Sequence, residues 1–108
     1  MERRLTDIRL HAPALIDLEV LHTLRRKVFG NSLSLEQAES AIAEYRHLRI
    51  ERYPHDNFID RIWQLRVNFS AYDAVYIALA ETLGVPLITL DARLAKSAPP
   101  TLKVELFA

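Results

Sequence analysis

The sequence predicts a single α/β domain in which a parallel β-sheet carries helices on both of its faces. Short strand-like segments alternate along the chain with longer helical ones, which is the order of a sheet whose strands are joined by helices. A continuous apolar run at residues 85–90 is typical of a strand covered on both sides. The 108 residues are 50% hydrophobic, which is enough for one small core.

Local signals in the first half of the chain set the ends of its elements. Pro13 suits the first turn of a helix, because its missing N–H costs nothing there. Ser34 should cap the second helix, with Gln37 as its capping-box partner. The first half of the first helix is apolar on nearly every side, so we expect it to be buried. The predicted elements are a strand at 8–12, a helix at 13–29, a helix from 34 and a strand at 48–53.

The second half of the chain has similar signals. Ser70 should begin a helix that ends at Gly84, a residue that accepts the left-handed backbone of a helix C-terminus. Two consecutive prolines at residues 99–100 should separate a short helical turn from the last strand. The predicted elements are helices at 55–67 and 70–83, a strand at 85–90, a helical turn at 91–96 and a strand at 102–107.

Composition excludes several classes of function. There is no cysteine, so disulfides and thiolate metal sites are impossible. Fourteen basic and fourteen acidic residues give a formal net charge of zero, unlike proteins that bind duplex nucleic acid through charge alone. No apolar run approaches the roughly 18 residues that span a bilayer. We therefore expect a soluble cytoplasmic protein without a membrane partner.

Three acidic residues are candidates for chemistry, although each also has a structural explanation. Asp73 follows Ser70 at capping-box spacing, and the position is compatible with both a cap and a metal ligand. Glu19 lies on an apolar helix, where a carboxylate is costly to bury unless it is paired or binds a cation. Asp91 follows the apolar strand and could equally cap the next turn.

As a set, these acids predict a metal site. In parallel sheets, sites lie beyond the carboxyl ends of the strands, where all three residues could converge. Oxygen-only ligands suit a hard cation such as Mg²⁺ or Mn²⁺, which can activate water for attack on a phosphate.

Other polar and aromatic residues are weaker candidates. Asp17 points to a different side of its helix from Glu19 and reads as a first-turn charge. Arg93 could contact a phosphate or serve as an exposed structural residue. Trp63, Tyr72 and Tyr76 could stack on bases, but their helical spacing favours core packing.

Two segments of the sequence resemble a known family. Residues 70–81, Ser-Ala-Tyr-Asp-Ala-Val-Tyr-Ile-Ala-Leu-Ala-Glu, and residues 84–95, Gly-Val-Pro-Leu-Ile-Thr-Leu-Asp-Ala-Arg-Leu-Ala, resemble the C-terminal half of a PIN domain. More specifically, they resemble VapC, the toxin of bacterial VapBC toxin–antitoxin pairs. Residues 10–21, Leu-His-Ala-Pro-Ala-Leu-Ile-Asp-Leu-Glu-Val-Leu, are similar to the family's second strand and following helix.

The resemblance implies a PIN-like three-layer α/β/α sandwich and endonucleolytic cleavage of single-stranded RNA with Mg²⁺ or Mn²⁺. It matches Glu19, Asp73 and Asp91 to the family's second, third and fourth metal-binding acids, and Ser70 to a hydroxyl near the metal. It also implies a homodimer and inhibition by a VapB-like antitoxin.

One feature departs from the family pattern. PIN domains open with a central strand that ends in the first metal-ligand aspartate, and no segment before Ile8 has that pattern. We therefore expect this chain to lack that strand and ligand, and three hypotheses follow. The chain is a VapC-like endoribonuclease, or it is a truncated, catalytically inactive PIN remnant that dimerises or binds antitoxin. The third hypothesis, which we rank last, is a generic small α/β domain whose acids are only helix caps.

Overall fold

The structure is a computed structural model, and it describes residues 9–89, 96–100, 102 and 104–106. The chain divides into two compact units, Met1–Tyr53 and Pro54–Ala108. The expectation of a single domain stays a prediction.

The first unit contains two strands that pair in parallel, as predicted. Strand β1 (Arg9–Pro13) leads into helix α1 (Ile16–Phe29), which is followed by helix α2 (Leu35–Arg46) and strand β2 (Arg49–Tyr53). The register runs from Arg9 opposite Arg49 to Pro13 opposite Tyr53. Both helices lie in the crossover between the strands, which a parallel pair requires.

Two expectations about the start of α1 are wrong. Pro13 ends β1 instead of starting the helix, because a proline disfavours helical backbone in the residue before it and the extended conformation continues. No residue of α1 is buried, and Leu18 is 71% exposed. In the described part of this unit, two strands and one further helix leave part of the surface of α1 uncovered.

The helix caps of the first unit differ from each other. The predicted capping box of α2 is confirmed: the Gln37 amide donates to Ser34 Oγ at 3.0 Å, and the Ser34 amide donates to Gln37 Oε1 at 2.9 Å. Helix α1 has Leu15 at its N-cap, and no side chain caps it there. Its first turn therefore lacks the hydrogen bond that a polar N-cap supplies.

The described part of the second unit contains a pair of packed helices followed by a parallel pair of short strands. A 3₁₀ turn (Asp56–Phe58) and helix α3 (Ile59–Gln64) replace the single helix predicted at residues 55–67. Helix α4 (Ala71–Leu83) is followed by strands β3 (Leu87–Thr89) and β4 (Val104–Leu106), which pair in parallel. The helical turn predicted at residues 91–96 lies mostly outside the described residues.

Helix α4 forms the centre of the described core. Ile77 and Ala74 are 0% exposed, and Leu65, Phe69 and Leu87 pack in the same cluster. Burying one such aliphatic side chain contributes about 1.5–3 kcal/mol. Arg61 donates to both carboxylate oxygens of Glu81 at 2.8 Å, which ties α3 to the far end of α4.

The core prediction is wrong for two aromatic residues. Trp63 is 66% exposed and Tyr72 is 68% exposed, whereas Tyr76 packs against the core cluster. Helix α3 is only six residues long, so it presents too few positions inward to bury Trp63. The Arg66 guanidinium lies over the exposed indole, 4.5 Å from the ring centroid.

Candidate metal-binding residues

Asp73 lies in the first turn of α4, at the position predicted for a cap or a ligand. The Asp73 backbone amide donates to Ser70 Oγ at 3.1 Å, so Ser70 is the N-cap. The reciprocal half of a capping box, in which the third residue bonds back to the N-cap amide, is not formed by Asp73. The Asp73 side chain is half-buried, and its carboxylate accepts no hydrogen bond from the described part of the chain. The cap role therefore belongs to Ser70.

Glu19 lies in the first turn of α1, in the other unit. Its amide donates to the Leu15 carbonyl at 3.1 Å, and its side chain is half-buried. Asp17 lies two residues earlier, about 200° away around a helix with 3.6 residues per turn. The two acids of this turn therefore face different sides of α1.

Asp17 has partners that the sequence reasoning missed. Its carboxylate accepts from Tyr45 Oη at 2.6 Å, from Arg52 Nε at 2.8 Å and from Arg52 Nη2 at 2.7 Å. We call these three residues the Asp17 network, and they join α1, α2 and β2. A signal was available, because Arg52 and apolar Ile50 are two residues apart and share one face of β2. A guanidinium on that face is stabilised by a carboxylate on a neighbouring element.

The network sets the protonation of its members. The Arg52 hydrogen bonds, and then the Tyr45 hydrogen bond, hold the pKa of Asp17 below its ordinary value. Burial, together with the hydrogen bond to Asp17, raises the pKa of Tyr45. Asp17 is thus an ionised carboxylate already occupied by three donors, which makes it a poor candidate for a metal ligand.

The predicted acids are not all brought together by the described residues. Glu19 and Asp73 belong to different units, and Asp91 and Arg93 lie outside the described residues. Over residues 9–89, 96–100, 102 and 104–106, no three His, Cys, Asp or Glu side chains form a group that could hold a metal ion. Convergence of the acids at one rim stays a prediction.

The donor chemistry of the candidates nevertheless fits a divalent cation. Glu19 and Asp73 supply carboxylate oxygens, which are the ligands that Mg²⁺ and Mn²⁺ prefer. Both are half-buried in the first turns of helices, and the Asp73 carboxylate accepts no bond within the described residues. Ser70 is exposed and already bonded to the Asp73 amide.

No helix among the described residues is both long enough and apolar enough to cross a membrane.

Parallel strands and the helices that lie between them along the chain define a small α/β protein. The chain belongs to the PIN-domain family, whose sequence model matches residues 1–98.

The relatives of the chain narrow this class further. It is 48% identical to Ribonuclease VapC1 of Mycobacterium tuberculosis over 97 residues, which are 89% of this chain and 71% of that protein. It is 44% identical to Ribonuclease VapC9 of the same species over 87 residues, covering 81% of this chain and 68% of that protein. It is 40% identical to Ribonuclease VapC12, also from that species, over 106 residues, which are 98% of this chain and 82% of that protein. The predicted resemblance to VapC proteins is confirmed.

Proposed function

We propose that this protein is a VapC-type ribonuclease, a Mg²⁺- or Mn²⁺-dependent endoribonuclease that acts as the toxin of a VapBC toxin–antitoxin pair. The observation that carries the proposal is the 48% identity to Ribonuclease VapC1 across 89% of the chain. Similarity at this level over most of a domain supports a shared chemistry, and the acids at Glu19 and Asp73 are of the type that this chemistry requires.

We assign Glu19, Asp73 and Asp91 as the metal ligands. When bound, the cation supplies Lewis-acid chemistry by making water more acidic and neutralising charge at the scissile phosphate. Ser70 holds the first turn of α4 closed through its bond to the Asp73 amide, and the positive end of the helix stabilises negative charge at Asp73. Arg93 is proposed to contact a phosphate of the RNA.

The proposed partners follow from the same class of relatives. They are single-stranded RNA as substrate, a VapB-like antitoxin as inhibitor and a second copy of the chain in a homodimer. The cytoplasmic location also stays a prediction.

The proposal is tested by metal-dependent RNA cleavage. A set of labelled single-stranded RNAs is incubated with the protein in Mn²⁺, in Mg²⁺ and in excess EDTA, and the products are resolved on a gel. We expect cleavage with either metal and none in EDTA. Glu19→Gln and Asp73→Asn should each abolish cleavage.

A matched control separates the loss of a ligand from the loss of a first-turn charge. Glu36 is an exposed acid in the first turn of α2, and Glu36→Gln should cleave at the unsubstituted rate. Cleavage that persists in EDTA or in folded Asp73→Asn protein would overturn the metal-site proposal. If the folded chain cleaves no RNA yet binds a VapB-like antitoxin, the inactive-remnant hypothesis replaces the enzyme.

A further inference from the structure

The first turn of α1, which carries Glu19, lacks the side-chain N-cap hydrogen bond that the first turns of α2 and α4 have. Ser34 and Ser70 each accept a hydrogen bond from an amide of the turn that follows. Leu15 occupies the same position in α1 and has no side chain capable of capping. Uncapped first turns leave amides unsatisfied and open more readily than the helix centre.

The Asp17 network is attached to this uncapped turn. Asp17 is the second residue of α1, and its carboxylate receives the two-pronged guanidinium of Arg52 and the Tyr45 hydroxyl. A planar guanidinium that bonds both carboxylate oxygens fixes orientation as well as distance. One side chain thus connects the turn to the end of α2 and to β2.

The exposure of the network indicates that its main effect is on geometry. The side chains of Arg52 and Asp17 are each 40% exposed, and ion pairs with that much solvent add little to global stability. Their directional bonds nevertheless restrict rotation of α1 about its axis. Because Glu19 lies about 200° around the helix from Asp17, that rotation determines where the Glu19 carboxylate is presented.

We infer that Asp17, Tyr45 and Arg52 are positioning residues that hold the first turn of α1 and thereby orient Glu19 for its cation. They contact neither the cation nor RNA in this role. The inference rests on the proposed function, because it gives the network a purpose at the metal site.

The test compares two Arg→Gln substitutions that remove similar ion pairs. Arg52→Gln breaks the Asp17 network, whereas Arg61→Gln breaks the bond to Glu81 between α3 and α4, which also joins one guanidinium to two carboxylate oxygens. Two readouts are used, and neither is catalytic activity. The first is hydrogen–deuterium exchange of the α1 first turn, including the Glu19 amide, and the second is Mn²⁺ binding by calorimetry.

We expect Arg52→Gln to accelerate exchange at the Glu19 amide and to weaken Mn²⁺ binding by about tenfold, the lower end for losing support around a metal ligand. Arg61→Gln should change neither quantity. Arg52→Lys keeps the charge without the planar guanidinium and should lie between Arg52→Gln and the unsubstituted protein. Tyr45→Phe, which removes a single donor, gives a milder variant if Arg52→Gln does not fold.

The outcomes separate this inference from the proposed function. Unchanged exchange and unchanged Mn²⁺ binding in Arg52→Gln, with weaker binding in Glu19→Gln, would overturn the inference alone. A uniform rise of exchange over the whole unit would overturn it too, because the network would then be merely structural. Faster exchange confined to the α1 first turn, in a protein that binds no Mn²⁺ at all, would show that the Asp17 network holds this turn and would contradict the proposed metal site.

Discussion

Asp73→Asn should separate the structural role of the α4 N-terminus from its chemical role. In the structure the cap is the bond from the Asp73 amide to Ser70 Oγ, which an asparagine at position 73 retains. The carboxylate itself accepts no hydrogen bond within the described residues, and the structural contribution that these residues account for is its charge near the helix N-terminus. That charge contributes about 0.3–1 kcal/mol.

We expect Ser70→Ala to lower the free energy of unfolding by more than Asp73→Asn does. Removing an N-cap hydroxyl costs about 1 kcal/mol, within a range of roughly 0.5–2 kcal/mol. We therefore expect Asp73→Asn to lower the free energy of unfolding by no more than about 1 kcal/mol, and by less than Ser70→Ala. Cleavage should show the reverse order, because only Asp73→Asn removes a proposed ligand.

The assay is urea denaturation followed by circular dichroism, run beside metal-dependent RNA cleavage for both variants. Gln37→Ala offers a comparison in α2, because Gln37 does bond back to its N-cap amide. A loss of more than about 2 kcal/mol in Asp73→Asn, well beyond the charge effect, would show that the carboxylate has a structural partner and refute this reasoning.

Three further predictions concern the fold. Ile77→Ala should lower the free energy of unfolding by about 2–5 kcal/mol in denaturation experiments, because Ile77 is fully buried; a loss below about 1 kcal/mol would contradict the core assignment. Gly84→Ala should cost about 1 kcal/mol from its φ of 66° alone, since a Cβ there meets nothing within 4 Å; an unchanged free energy of unfolding would contradict this. The pKa of Asp17 is lowered in the folded state, so the contribution of its ionised form to the free energy of unfolding is complete above the ordinary aspartate pKa and is lost as pH falls through the lowered value. The difference in free energy of unfolding between the unsubstituted protein and Asp17→Asn, measured by denaturation, should therefore be constant near neutrality and disappear in acid. A difference that widened in acid would reverse the assigned sign.

The features that the sequence predicted correctly are those set by neighbouring residues. Ser34 with Gln37, Ser70 before α4 and Gly84 after it each act within one helical turn, so their spacing is visible in the chain. The parallel pairing also followed from the order of strands and helices, because strands joined through helices have the long crossover connection that a parallel pair needs.

The features that were missed depend on residues far apart in sequence. Asp17 meets Tyr45 and Arg52 across separations of 28 and 35 residues, so spacing along α1 could only suggest a first-turn charge. The prediction that the first half of α1 is buried was wrong for a related reason. An apolar helix sequence indicates that the helix favours a covering surface, but it does not show whether the neighbouring elements are large enough to cover it.

The candidate site stays a prediction. The structure places Asp73 and Glu19 in the first turns of helices and assigns the cap of α4 to Ser70. Their identity as ligands came from the family resemblance, because a carboxylate near a helix N-terminus is stabilised there whether or not it binds a metal.

The most direct test of the central claim is a ligand exchange at position 73. Asp73→Cys introduces the only thiol of a chain that has no cysteine, and a thiolate favours soft cations over Mg²⁺. If Asp73 binds the cation, RNA cleavage by Asp73→Cys should be lost with Mg²⁺ and recovered at least in part with Cd²⁺, while Asp73→Asn should be inactive with both. Cleavage by Asp73→Cys that is undiminished with Mg²⁺ and insensitive to the change of metal would contradict the assignment of Asp73 as a ligand.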